Sequence, residues 1–182
     1  MAATVIKENS DLPNFIGLRR KQILKLGLEE VSVIKDNSDL SNFISLSREQ
    51  ILNMRLEEAT VLKNAGDELY KPSTLFSENE AFTAFSAAVH NSIPFFETAC
   101  VALAKVVEHR KSLLTTPPVK SKFHYYNGNQ GEFKKDFLKH RAHAKLHADY
   151  KKAKEEYIDI LKGAHYFLLL AHDSLLRSLS EC

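Results

Sequence analysis

From about Glu132 to Leu179 apolar side chains return every three or four residues: Leu146, Tyr150, Ala153, Tyr157, Ile160, Leu161, Ala164, Leu168, Ala171, Leu175 and Leu179. Those steps keep one stripe in line on a helix of 3.6 residues per turn. The stretch has no proline and, after Gly131, a single glycine at 163, so one long helix over about 131–180 is predicted. A second stripe, Phe82, Phe85, Val89, Ile93, Phe96, Cys100, Leu103, Val107 and Leu114, predicts another over about 77–114. Ser77 and Glu80 stand at capping-box spacing before it. Pro94 falls inside this stripe, and the apolar phase is kept on both sides, which predicts a kinked helix instead of two helices.

The N-terminal third repeats itself. Residues 5–32 and 33–60 align without a gap and share 18 of 28 positions, and a third start at 61–69 drifts away after a few residues. Solenoid repeats need roughly three or more units to bury a continuous core, so two units must lean on the C-terminal helices or on a partner. Each copy reads as a short helical turn followed by a longer helix. Ser10 and Ser38 are the expected N-caps of the short pieces, with Pro13 tolerated in a first turn. Ser47 and Gln50 have capping-box spacing, after which Leu52, Leu56, Ala59 and Leu62 share a face. The aligned positions of the first copy are Leu24, Leu28, Val31 and Ile34, and Gly27 there replaces Arg55.

Lys71-Pro72-Ser73 marks the expected boundary between a duplicated segment, 1–70, and a long-helix domain, 71–182. Thr115-Thr116-Pro117-Pro118 and Asn127-Gly128-Asn129-Gln130-Gly131 bracket a connection of about 15 residues between the long helices. These elements predict an all-α fold: an antiparallel bundle of four or five helices built on the two long ones, with a duplicated helical N-terminal segment.

Composition is that of an ordinary globular chain, 44% hydrophobic and 26% charged. Two cysteines, Cys100 and Cys182, make neither a disulfide framework nor a metal cluster by spacing, which fits a reducing compartment. No transmembrane segment, basic-apolar leader or Asn-x-Ser/Thr sequon is legible, and a cytoplasmic or nuclear location is expected.

The net charge of +2 hides an uneven distribution. Segment 109–145 carries nine Lys or Arg against Glu132 and Asp136, a local +7, with Phe123, Tyr125 and Tyr126 among them. Lys120, Lys122, Lys134, Lys135, Lys139 and Arg141 with Tyr125 and Tyr126 are therefore candidate anion-binding residues, for nucleic acid or an anionic membrane surface. Against this stands a solvated helix face with no recognised nucleic-acid motif.

His140, His143 and His147 share one stripe, and His90, Glu97 and Cys100 are donors a metal would need from the other long helix. Lys139, Arg141 and Lys145 oppose a cation there, and the Glu-x-x-His pairs of di-iron bundles are missing, so neither metal nor cofactor is expected. No triad, phosphate loop or dinucleotide motif is legible, and nothing supports an enzyme. The duplicated Asp-Leu-x-Asn-Phe-Ile-x-Leu frame makes Leu12, Phe15, Ile16, Leu40, Phe43 and Ile44 candidate partner-binding residues, with plain core as the competing role. The expected function is a non-catalytic helical adaptor or scaffold that binds a protein partner, or a second copy of itself, through this motif. The alternative is an anion-binding helical module using 109–145.

Overall fold

A computed structural model describes residues 32–70, 76, 79–116 and 130–180. Among these, helix is the sole regular secondary structure. The helices are α1, described over 32–36; α2, Ser38–Ser45; α3, Arg48–Ile51; α4, Leu56–Leu69; α5, Glu80–Thr115; and α6, Gln130–Ser180. The chain is all-α, and its two long helices pack closely, as the two apolar stripes require. Residues 5–31 of the first copy and the expected boundary at 71–73 lie outside the described residues.

Local chemistry accounts for the helix starts. Asn37, not Ser38, caps α2: its side chain accepts from Asp39 N and Leu40 N at 3.1 and 3.2 Å, while Ser38 is already helical. Asn37 has the extended backbone an N-cap needs, with φ −86° and ψ 102°. Ser47 and Gln50 form the expected capping box, with the Ser47 N–H donating to Gln50 Oε1 at 2.8 Å and the Gln50 N–H to Ser47 Oγ at 3.3 Å. The helix it opens is shorter than expected. α3 stops at Ile51, and Arg55, extended at φ −116° and ψ 176°, starts α4 afresh as the Glu58 carboxylate accepts from its N–H. Leu52 consequently falls on an exposed turn instead of sharing a face with Leu56, Ala59 and Leu62. Asn79 Oδ1 accepts from Phe82 N at 2.9 Å at the start of α5; Ser77 lies outside the described residues.

α5 continues through Pro94, so the proline does not end it. The α6 stripe runs as read from the sequence, each of its eleven positions buried or half-buried. The α5 stripe does not. Phe82, Phe85, Val89 and Phe96 are buried, but beyond them the packed positions pass to Ala99 and Ala102, and Cys100, Leu103, Val107 and Leu114 are exposed.

The chain divides into two compact units at Pro94 and Ala164, across both long helices. In the first, α1 to α4 gather with the α5 residues up to Ile93 and the α6 residues from His165. Its centre is aromatic: Phe43 lies against Phe85 and edge-on to His172, with ring centroids 6.3 and 5.3 Å apart, and Phe82 continues the cluster to Phe76 at 4.6 Å. Leu40, Ile51, Leu168 and Leu175 close around it. Gly66 lets α4 approach α5, because a Cβ there would stand 3.2 Å from Phe85 Cε1.

The second unit, 94–164, pairs the rest of α5 with the rest of α6. A Cβ on Gly163 would meet the Phe95 ring at 2.7 Å, and Lys105 Nζ stands 4.0 Å from Glu156 Oε1. Numbers rise along one helix as they fall along the other, so the pair is antiparallel. Few large side chains are buried in it: Phe96 is joined by Ala99, Ala102, Ala153 and Ala164.

Candidate functional site

Within the first unit the second copy of the repeat forms an open groove of about 190 Å³ between α2 and α4. Phe43, Met54 and Leu62 make its floor, with Leu46 half-buried beside them. Val61, 45% exposed, is an apolar wall, and Asp39, Asn42 and Glu58 are the polar rim. The break after α3 creates the space, because the second cap at Arg55 redirects the chain and lets α4 run beside α2. An apolar floor rimmed by two carboxylates suits an apolar anchor carrying a nearby cation.

Two histidines hold this segment. Helix ends leave carbonyls without intrahelical partners. The His165 Nε2–H donates to Met54 O at 3.0 Å and the His172 Nε2–H to Ile44 O at 3.1 Å, each serving a carbonyl at a break in the repeat. Both come from α6 beside its apolar stripe, three residues before and four residues after Leu168. Sequence reasoning passed over them; their signal is two histidines seven residues apart on the buried face of an otherwise apolar stretch.

Of the candidate partner-binding residues, Leu40 and Phe43 are almost wholly buried in the chain's own core and Ile44 is half-buried. Phe43 lines the groove with one side, and Ile44 keeps part of its surface exposed. Leu12, Phe15 and Ile16 lie outside the described residues. Of the candidate anion-binding residues, Lys134, Lys135, Lys139 and Arg141 are exposed along the first turns of α6, with Lys139 Nζ 3.9 Å from Asp136 Oδ1. Lys120, Lys122, Tyr125 and Tyr126 lie outside the described residues.

The His143 and His147 rings are 4.8 Å apart, edge to face. Among the described residues no three of His, Cys, Asp or Glu gather into a metal site, and His90, Glu97 and Cys100 are not brought to them. Also among the described residues, no helix is long and apolar enough to cross a membrane.

Comparison with protein-family models, with curated proteins and with solved structures finds no match.

Proposed function

We propose that this chain is a non-catalytic helical adaptor that binds a protein partner through its duplicated N-terminal segment. The reading has the repeats completing a bundle of four or five helices, in the cytoplasm or nucleus. The observation that carries it is the groove between α2 and α4, whose lining recurs in the sequence. Asp39, Asn42, Phe43, Leu46, Glu58 and Val61 have identical counterparts at Asp11, Asn14, Phe15, Leu18, Glu30 and Val33. Met54 and Leu62 are matched by Leu26 and Ile34. A partner that engages both copies of the motif would gain avidity without any new contact. The partner surface that fits is an apolar side chain beside a Lys or Arg.

The experiment is affinity capture from nuclease-treated native lysate with the wild-type chain and with Val61→Arg. That side chain is exposed, so the substitution fills the groove while leaving the fold intact. Protein bands weakened with the variant support the reading. Bands equally strong with both chains, or absent from both, oppose it.

A second reading, an anionic surface held by segment 109–145, is favoured by one observation: exposed Phe133, Phe137 and Leu138 stand among the exposed cations of α6.

A further inference from the structure

Charge around the α2–α4 groove is one-sided. At 100° per residue, the acids within about a quarter turn of its opening are Asp39 on α2 and Glu57, Glu58 and Glu68 on α4. α2 carries no cation, and Lys63, the cation of α4, lies on the far side of the helix and is paired with Asp67 at 2.7 Å. Arg55, the α4 N-cap, stands three residues before Glu58, which leaves four acids against one cation. An occupant of this groove therefore needs an apolar anchor with positive charge beside it.

The repeat itself carries such an anchor. Leu52 stands on the turn after α3, 42% exposed, and does not line its own copy's groove. Around it are Arg48, Glu49 and Asn53. The 28-residue register holds in α1, where Val33 is exposed and Ile34 buried as Val61 and Leu62 are on α4. At the place of Leu52, the first copy has Leu24, which follows Arg20 and Lys21 and precedes Lys25. These residues lie outside the described ones and are read from the sequence alone. Three differences between the copies put a cation in the first, Arg19 for Ser47, Lys21 for Glu49 and Lys25 for Asn53, and Gly27 for Arg55 removes one. Residues 12–28 thus hold four cations and no acid, whereas 40–56 hold Arg48 and Arg55 with Glu49. The first copy matches the acidic groove of the second in charge. Leu52 offered to the same groove would bring Glu49 against Asp39 and Glu58, a like-charge contact that opposes the pairing.

We infer that the α2–α4 groove of one chain takes residues 20–25 of a second copy of this chain, with Leu24 on the apolar floor and Lys21 and Lys25 on the carboxylate rim. The inference rests on the adaptor reading for the groove as a docking site and names an occupant for it. A plug from the same chain, at about millimolar effective concentration, would shut other partners out. A plug from a second chain leaves the groove open to competition, so a partner of the same chemistry and self-association exclude one another there.

The test uses the purified full chain. Sedimentation equilibrium over a series reaching about 1 mM shows reversible association. It weakens as salt rises, because Asp39 and Glu58 are exposed and screened. Lys21→Glu with Lys25→Glu reverses the plug, Val61→Arg fills the groove, and each raises the dissociation constant at least about ten-fold. Mixed in equal amounts, the two variants associate again, because the intact plug of one meets the intact groove of the other. Should Val61→Arg lose helical signal, Asn42→Arg on the exposed α2 side of the groove replaces it.

A monomer at every concentration overturns the inference, as do variants that associate like wild type and a mixture that stays monomeric. If self-association is absent while Val61→Arg still weakens capture from lysate, the inference falls and the adaptor reading stands. If self-association follows the variants while capture ignores Val61→Arg, the separate partner is lost and the second copy remains as the groove's occupant.

Discussion

Replacing Phe43 by Ala is the sharpest perturbation of the fold, because the same side chain serves both the core and the groove. It is 2% exposed, and its ring meets Phe85 at 6.3 Å and His172 edge-on at 5.3 Å. Truncating a buried Phe costs about 3–5 kcal/mol, and the aromatic contacts argue for the upper part of that range. The groove argues for the lower part, since water and the exposed Val61 side chain can move into the space left behind. We expect a loss of about 3 kcal/mol, which lowers the urea midpoint by roughly 1.5 M for a slope near 2 kcal/mol/M. The thermal midpoint should fall by about 6–12 °C. Urea titration followed by circular dichroism at 222 nm measures it. A loss below about 1 kcal/mol would refute the core assignment and return Phe43 to the solvent-facing role that its repeated sequence frame suggests.

Three further substitutions test separate parts of the account. Asn37→Ala removes the α2 cap and should cost about 1 kcal/mol by the same titration, whereas Ser38→Ala should be close to neutral. His165→Leu strips the donor from the buried Met54 carbonyl and should cost about 1–3 kcal/mol, a loss that an equally stable variant would contradict. Gly66→Ala should destabilise by about 1 kcal/mol despite the better helix former, because Phe85 is fully buried and cannot retreat, while Gly163→Ala should be tolerated because the Phe95 ring it meets is partly exposed; a reversed order in thermal melts would refute the packing argument.

The stripe on α6 was legible because its packed side carries large side chains through most of its length, so periodicity and burial coincide. α5 misleads beyond Phe96 because the helices there meet through Ala99 and Ala102, while the larger Leu103, Val107 and Leu114 face outward. A pattern reading takes large apolar residues as the packed side, and a hairpin packed through alanines inverts that rule. The Ser47 cap was legible from residue type, and the Arg55 cap was not, since Arg offers no acceptor and the work falls to Glu58 three residues on. The choice of Asn37 over Ser38 depends on backbone dihedrals that residue type alone leaves open. Every lining residue of the second-copy groove was visible in the repeat or in the third start that follows it. The groove itself depends on α2 lying beside α4, a tertiary fact that 28-residue periodicity does not contain.

The central claim, that duplicated grooves bind one partner together, is tested most directly by comparing captured partner across four chains: wild type, Val61→Arg, Val33→Arg and the double variant. Val33 aligns with Val61 and is exposed, so both substitutions act on the surface. Each single variant should leave measurable but weakened capture, because one groove keeps its own affinity while losing an avidity gain of about 10²–10⁴. The double variant should fall to background. Capture by the double variant equal to wild type would contradict the account, and so would complete loss from Val61→Arg beside an unaffected Val33→Arg.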